Sequence, residues 1–227
     1  LTLPAAGEVP HGDLLHGQGA GFRWNQMCAD CHSTAVRKQY DPEEDLYGTT
    51  FAEIDVGCEA CHGPGAAHLG WARKGAAEGP RGLFEKLIGR GTWTPHPAGP
   101  RRVGPSQAPG AGVPEIQVCA PCHARRSLIA DPVAAHGRFL DGYRPEFLTE
   151  GLYQLDGQIL DEVYVYGSFL QSRMFAAGVS CSDCHEPHSL KLRADGNALC
   201  VNCHNQQVFD AESHHFHEMG SAGAQCV

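Results

Sequence analysis

Ten of the eleven cysteines form five Cys-x-x-Cys pairs, and a histidine follows each pair at once. In chain order, motifs 1 to 5 are Cys28-Cys31-His32, Cys58-Cys61-His62, Cys119-Cys122-His123, Cys181-Cys184-His185 and Cys200-Cys203-His204. In such a motif two thiols bond covalently to the two vinyl groups of a porphyrin, and the adjacent imidazole reaches the iron. This is the attachment signature of c-type haem. The sequence therefore predicts five covalently bound haem c groups.

Other uses of paired cysteines leave these histidines unexplained. A zinc site needs four ligands around one metal, and two Cys-x-x-Cys pairs could supply them without any histidine. Disulfides, or a redox-active pair of the thioredoxin kind, do not require histidine at that position either. Because only 14 of the 227 residues are histidine, chance does not place one after every pair. We therefore favour haem over these three alternatives.

Each haem iron has a second axial position, and nine further histidines could occupy it. They are His11, His16, His68, His96, His136, His188, His214, His215 and His217. Methionine is the other common axial ligand of haem c, but the chain has only three methionines. Ligation by two histidines is therefore the simpler expectation for most of the haems.

Position in the chain separates these spare histidines. His68 and His188 follow their motif histidines too closely to reach back to the same iron, so each would serve a neighbouring haem. His16 is the next candidate, and His11, His96 and His136 are weaker ones. A cluster near the C-terminus consists of His214, His215 and His217. It would supply one or two ligands, the alternative being a surface tract that binds another metal.

The composition predicts a thin hydrophobic core that the haems would complete. The chain is 42% hydrophobic and 19% charged, with 28 Gly and 15 Pro. Five flat macrocycles would supply broad apolar surfaces on which short helices and loops can pack. We therefore expect a mainly α, haem-packed cytochrome c fold with much irregular coil and with the motifs on short helices. Without haem the chain should be largely unfolded, since cofactor binding contributes to folding.

Two segments carry a clearer secondary-structure signal. Asp156-Gly157 lies between the apolar stretches 152–155 and 158–160, and residues 163–166 follow. An Asp-Gly turn between alternating apolar residues predicts one small β-hairpin. Residues 82–88 have the pattern of a short helix that ends at Gly89.

The spacing of the motifs predicts how the chain is organised. Their first cysteines lie at 28, 58, 119, 181 and 200, so the gaps are 30, 61, 62 and 19 residues and show no repeat period. The 19-residue gap should bring the last two haems close together. Segment 89–114 is rich in proline and glycine and reads as an irregular connection, either between two haem clusters or within one domain. We expect a single multihaem unit over residues 1–227.

The charge of the chain bears on its partners and its compartment. The formal charge is −9, and five oxidised haems with two propionates each would bring it to about −14, which disfavours nucleic acid and favours basic redox partner proteins. A generic acidic surface that maintains solubility explains the charge equally well.

No apolar run approaches the 18 residues of a membrane span. Covalent haem is attached outside the cytoplasm, so we expect a periplasmic or extracellular protein whose signal was removed or lies upstream.

Four runs of residues carry a resemblance to a known family. They are WNQMCADCHST at 24–34, EIDVGCEACHGPGAAH at 53–68, GLYQLDGQILDEVYVYGSFLQSRM at 151–174 and GVSCSDCHEPHSLKLRADGNALCVNCH at 178–204. The chain resembles multihaem c-type cytochromes of the cytochrome c-554-like, doubled C-x-x-C-H kind, which often carry tetratricopeptide repeats. This resemblance implies that His68, His188 and the pair His215 and His217 are distal haem ligands.

The eleventh cysteine, Cys226, lies in the closing run GAQCV. The resemblance implies further haem motifs on both sides of this region, so Cys226 would open a sixth haem site if the chain continued. We expect the chain to be a truncated portion of such a cytochrome. The alternative is a free thiol or an intermolecular disulfide.

Three functions remain open at this point, and electron transfer is the favoured one. Relatives with related haem packing include hydroxylamine oxidoreductases and multihaem nitrite reductases, so one haem with an open site could act on hydroxylamine or a nitrogen oxyanion. Arg125 and Arg126, just after His123, could bind such an anion, but neutralising haem propionates is the favoured interpretation. The third function is a filament subunit, with terminal histidines donated to the next copy.

Overall fold

The computed structural model describes residues 9–13, 16, 19, 22–75, 78–79, 81–82, 87, 93–95, 102–103, 113–130, 137–146 and 148–226. Within these ranges the chain is mainly helical, and its helices are short. They are α1 (Ala29–His32), α2 (Cys58–His62), α3 (Ala66–Arg73), α4 (Val113–His123), α5 (Phe139–Gly142), α6 (Tyr166–Gln171), α7 (Arg173–Ala176), α8 (Cys181–Cys184), α9 (Asn197–Cys200), α10 (Gln206–Phe209) and α11 (Glu212–His215). A π-helical turn, Trp24–Cys28, precedes α1, and a 3₁₀ turn, Ala222–Ala224, follows α11.

Among the described residues, the strands form four antiparallel pairs of two or three residues per strand. They are β1 (Tyr40–Asp41) with β2 (Leu46–Tyr47), β3 (Thr94–Pro95) with β4 (Arg102–Val103), β5 (Arg126–Leu128) with β6 (Tyr143–Pro145), and β7 (His185–Glu186) with β8 (Lys191–Leu192). The sequence predicts one hairpin, so this part of the prediction is wrong in number. The prediction overlooked two turn signals, the dipeptides Asp41-Pro42 and Glu186-Pro187, which begin the β1–β2 and β7–β8 turns.

The predicted hairpin around Asp156-Gly157 forms only in part. The turn is present, since the Asp156 carboxylate accepts a hydrogen bond from the Gln158 N–H at 3.1 Å, and Tyr153 and Ile159 form one antiparallel bridge. No strand extends from it, because its other apolar side chains have no core to pack on; Leu155 is fully exposed. The predicted continuation over 163–166 is wrong, since Tyr164 has a φ of +60° and α6 begins at Tyr166.

Backbone contacts divide the chain into two compact units. Unit 1 consists of Leu1–Lys86 and Gln117–Gly167, and unit 2 consists of Leu87–Ile116 and Ser168–Val227. The described part of segment 89–114 contains β3, β4 and the start of α4, so it is less irregular than its composition predicts. Of the helix predicted over 82–88, only Gly82 and Leu87 lie within the described residues. The single multihaem unit over 1–227 stays a prediction.

Every motif begins in a helix or a helical turn, as the sequence predicts. Motif 1 runs from the π-helical turn into α1, motif 2 occupies α2, and motif 3 ends α4. The cysteines of motif 4 occupy α8, whereas its histidine begins β7, and motif 5 begins at the end of α9 and continues into the turn that follows. One turn of helix brings residues three positions apart onto the same side, which favours attachment of both thiols of a pair to one group. The local fold is therefore compatible with covalent attachment at these motifs.

Unit 1 has a small apolar core directly behind motif 3. Ala120 and Ala124 at the end of α4 pack with Phe139 and Tyr143, and the Phe139 and Tyr143 rings stack with centroids 5.4 Å apart. Many large apolar side chains elsewhere in the described ranges are exposed, including those of Met27, Leu190 and Phe216. The thin core expected from the composition is therefore confirmed.

Candidate haem-attachment sites

Motifs 1 and 3 lie side by side in unit 1, although 91 positions separate Cys31 from Cys122. The Sγ of Cys31 lies 3.9 Å from the carbonyl oxygen of Cys122, and the Sγ of Cys122 lies 3.8 Å from the carbonyl oxygen of Asp30. The Cys122 thiol also donates a hydrogen bond to the sulfur of Cys31. Because Cys122 donates this bond, the pKa of Cys31 falls to about 6 and the pKa of Cys122 rises. The two attachment turns are thus in direct contact.

A buried charge cluster holds these two turns together. Asp30, inside motif 1, pairs with Lys38 at 3.0 Å and with Arg126 at 3.3 Å, and all three side chains are about nine-tenths buried. Arg126 also donates from Nε to the carbonyl oxygen of Pro121 at 2.6 Å, and its guanidinium lies 4.4 Å from the centroid of the Tyr143 ring. Since Pro121 belongs to motif 3, the cluster ties motif 1 to motif 3.

The two arginines after motif 3 are engaged by the protein itself. Arg126 belongs to the buried cluster just described. Arg125 donates to the carbonyl oxygen of Glu162 at 3.2 Å and lies 4.0 Å from the Asp161 carboxylate. Neither an anion site nor a propionate contact follows from these positions, so both interpretations of the pair stay predictions.

Motif 2 is followed by α3, which carries His68. The Glu59 carboxylate of motif 2 accepts a hydrogen bond from the Gly65 N–H at 2.6 Å and so shapes the link to α3. The Nδ1 of His68 lies 2.7 Å from the carbonyl oxygen of Arg81, and its ring stacks on Trp71 with centroids 5.2 Å apart. Burial raises the pKa of the Cys61 thiol. The ring of His68 is therefore fixed on two sides.

Motif 4 is held by a carboxylate from α4. Glu115 accepts bonds from the N–H of Ser182 at 2.5 Å, from the Ser182 hydroxyl at 2.8 Å and from the Ser180 hydroxyl at 3.2 Å. Asp183, inside the motif, accepts a bond from the Trp93 indole N–H at 3.0 Å. Burial raises the pKa of the Cys184 thiol. These bonds fix α8 without a large apolar core.

The β7–β8 hairpin begins at the histidine of motif 4 and carries His188 in its turn. His185 pairs with Leu192, and Glu186 pairs with Lys191. The Oε1 of Glu186 accepts from the backbone N–H of His188 at 3.1 Å and lies 3.1 Å from its Nδ1. Both the ring and the backbone of His188 are thus held by one carboxylate.

Motif 5 lies next to Cys226. Asn197 in α9 donates to the Ala224 carbonyl at 2.9 Å and accepts from the Cys226 N–H at 2.8 Å. Burial raises the pKa of the Cys200 thiol, and so do electrostatic repulsion from the neighbouring Cys226 and a hydrogen bond between the two side chains. The C-terminal segment is therefore folded against motif 5, a contact that the sequence pattern does not reveal.

The remaining spare histidines lie in different environments. His16 contacts His11, with ring centroids 4.8 Å apart. The Nδ1 of His215 accepts a bond from the backbone N–H of His217 at 3.1 Å, and their rings stack at 6.3 Å. His214 contacts Phe209, whose ring also contacts His204 of motif 5. His96 and His136 lie outside the described residues.

The described residues fit covalent haem in three respects. None of the ten motif cysteines, all of them described, forms a disulfide that would compete with haem attachment. Exposed apolar side chains could be covered by a large flat apolar group. A cleft of about 680 Å³ is lined by Met27, which precedes Cys28, and by Lys38 and Arg126. The volume of the cleft suits a large cofactor.

Two protein families match parts of the chain. The family described as cytochrome c554 and c-prime matches residues 14–63, and the doubled CXXCH motif family matches residues 174–209. These matches support a multihaem c-type cytochrome family. The first range contains motifs 1 and 2, the second contains motifs 4 and 5, and motif 3 lies outside both. No curated protein and no solved structure matches the chain.

Within the described residues, no helix is long and apolar enough to cross a membrane.

Proposed function

We propose that the chain transfers electrons through five covalently bound c-type haems, most of them ligated by two histidines. The family matches support haem-based electron transfer. Five motifs on helical turns support the number of haems, and all five end in histidine. The observation that carries the proposal is the contact between Cys31 and Cys122, because it puts two attachment points from distant parts of the chain next to each other.

Adjacent attachment points have a direct functional consequence. When bound, haem supplies a reversible one-electron couple between ferric and ferrous iron. The chain would contribute the spacing: Cys31 and Cys122 would hold two haems on adjacent turns, and the cluster of Asp30, Lys38 and Arg126 would keep those turns together. It also contributes the motif histidines as axial ligands, which set the iron potential. In unit 2, the 19 positions between Cys181 and Cys200 limit how far motifs 4 and 5 can separate.

Distal ligation is the second part of the proposal. His68 and His188 are the best supported distal ligands, since a partner bond orients each ring. His16, His215 and His217 are proposed for other haems. His68 and His188 would each serve a haem other than that of the motif that they follow.

Compartment and partners complete the proposal. Covalent haem attachment and the likeness of residues 14–63 to cytochrome c554 and c-prime support a periplasmic or extracellular location. An acidic holoprotein would meet basic redox partner proteins through electrostatic steering. A homo-oligomer or filament would add haem contacts between copies, and light scattering of the holoprotein at high concentration measures it directly.

Haem stoichiometry combined with reductive titration tests this function. Intact mass and pyridine haemochrome absorbance should give five haems per chain, all of them reduced and reoxidised reversibly. Fewer than five haems would contradict the assignment of the motifs. Turnover of nitrite or hydroxylamine at a high-spin haem would instead favour the oxidoreductase, and motif 3 would be the first site to mutate.

A further inference from the structure

The spare histidines differ in what their Nδ1 atoms contact, and this difference decides which ring nitrogen is available. A carbonyl or carboxylate oxygen can only accept a hydrogen bond. The Nδ1 atoms of His68 and His188 must therefore carry the proton, because they face the Arg81 carbonyl and the Glu186 carboxylate. In the neutral ring this leaves the lone pair on Nε2.

His215 shows the opposite arrangement. Its Nδ1 accepts a bond from the backbone N–H of His217, so the proton of the neutral ring is on Nε2. That Nε2 atom is buried and has no hydrogen-bond partner among the described residues. His68 and His188 are thus already arranged to bind a metal through Nε2, whereas His215 would first have to give up its bond to His217.

His188 differs from His68 in the charge of its partner. Arg81 offers a neutral carbonyl, whereas Glu186 offers a carboxylate that accepts from both the ring and the backbone of His188. A carboxylate partner raises the basicity of a metal-bound imidazole and holds its orientation. A more strongly donating ligand stabilises ferric iron and so lowers the reduction potential.

The hairpin keeps this contact in place. Glu186 lies in β7 opposite Lys191, and only four residues connect β7 to β8. Two cations also lie on this hairpin: Lys191 is the cross-strand partner of Glu186, and Arg193 interacts electrostatically with the carboxylate. Arg193, however, donates from Nε to the Ser182 carbonyl at 2.5 Å. His188 is therefore the group that bonds directly to the Glu186 carboxylate among the described contacts.

We propose that Glu186 is a positioning residue that orients His188 and lowers the reduction potential of the haem iron that His188 binds. The inference rests on the proposed function, since it takes His188 as a distal ligand. It makes the iron bound by His188 more difficult to reduce than the one bound by His68, whose partner is a neutral carbonyl. The same hairpin thereby connects the proximal ligand of motif 4, His185, to the tuning of a second haem.

Three variants of the holoprotein test the role of Glu186. Glu186→Gln keeps an acceptor oxygen but removes the charge, and Glu186→Ala removes the bond as well. Asp195→Asn is the control, since it removes one exposed carboxylate from the same unit. Spectroelectrochemistry follows each haem potential, and low-temperature EPR reports whether each iron stays low-spin.

In Glu186→Gln we expect one haem potential to rise while all haems stay low-spin, and in Glu186→Ala we expect a larger rise and a changed low-spin signal. Asp195→Asn should leave every potential near its original value. Equal potentials in Glu186→Gln and Asp195→Asn would overturn the role of Glu186.

His188→Ala separates this failure from failure of the proposed ligation. If His188 is a ligand, this variant contains one high-spin haem. A fully low-spin His188→Ala protein would refute the ligation itself. One high-spin haem in His188→Ala together with unchanged potentials in Glu186→Gln would refute only the role of Glu186.

Discussion

The two units hold their motifs in different ways. Unit 1 fixes motifs 1 and 3 with protein groups alone, namely the buried Asp30 cluster and the core around Phe139 and Tyr143. Unit 2 relies on polar bonds, chiefly those of Glu115, and among its described residues the buried apolar side chains are only Ile116, Val179 and Ala224. Attachment sites distant in sequence thus have a protein framework of their own, whereas we expect the sites close in sequence to depend more on bound haem.

The largest expected effect is the loss of unit 2 when one of its haems is removed. Cys181→Ala/Cys184→Ala should leave four haems and expose unit 2 to protease, because little apolar packing remains there. The matched variant, Cys119→Ala/Cys122→Ala, should also keep four haems but leave unit 1 resistant. Intact mass counts the haems, and limited proteolysis compares the units. Equal protection of both units in both variants would refute the contrast.

Breaking the buried charge cluster should produce the next largest effect, within unit 1. Asp30→Asn leaves Lys38 and Arg126 buried without their carboxylate, which should cost about 3 kcal/mol of unfolding free energy. Asp141→Asn removes one partner of an exposed pair with Arg138 and should cost less than about 0.5 kcal/mol. Denaturant unfolding, followed by hydrogen exchange in unit 1 peptides, measures both. Similar values for the two variants would mean that the cluster does not hold motif 1 to motif 3.

Unit 2 has a polar counterpart to this test. Glu115→Gln weakens three hydrogen bonds to Ser180 and Ser182, and we expect a loss of about 1–2 kcal/mol. Glu218→Gln, at an exposed glutamate of the same unit, is the control. Faster hydrogen exchange across α8 in Glu115→Gln alone would confirm the bonds. Unchanged exchange there would show that Glu115 does not fix motif 4.

The smallest expected effect is a pH dependence of the stability of unit 1, which contains all six tyrosines. Burial raises the pKa of Tyr143 above its usual value of 10. Below pH 10 both states keep the proton and stability is complete; above pH 10 the unfolded chain loses it first, so stability falls. Tyr143→Phe should reduce this slope between pH 10 and 11 relative to the parent protein. Equal slopes in Tyr143→Phe and in the parent protein would show that burial does not raise the pKa of Tyr143.

The sequence predicts the chemistry of the attachment sites better than their arrangement. Cys-x-x-Cys-His is a local pattern, so its placement on helical turns follows from helix geometry. The contact of Cys31 with Cys122 spans 91 positions and depends on the Asp30 cluster, which no local pattern encodes. The same holds for the contact of Cys226 with motif 5.

The sequence predicts secondary structure correctly where neighbouring residues alone determine it. The turn at Asp156-Gly157 forms because that dipeptide favours it, but strand pairing requires a surface to pack on, and Leu155 has none. Conversely, the β7–β8 hairpin forms from only two residues per strand, because Pro187 and the Glu186 carboxylate organise its turn. Such short pairs lie below the length at which alternation becomes readable.

The most direct test of the central claim is low-temperature EPR of the oxidised holoprotein, compared with Cys119→Ala/Cys122→Ala. We expect five low-spin haems, with a magnetic interaction between the haems of motifs 1 and 3 that disappears when motif 3 is removed. A high-spin haem in the parent protein would reveal an iron with an open site and would favour the oxidoreductase over an electron carrier. A motif 1 signal that is the same with and without the motif 3 haem would contradict the adjacency on which the electron-transfer proposal rests.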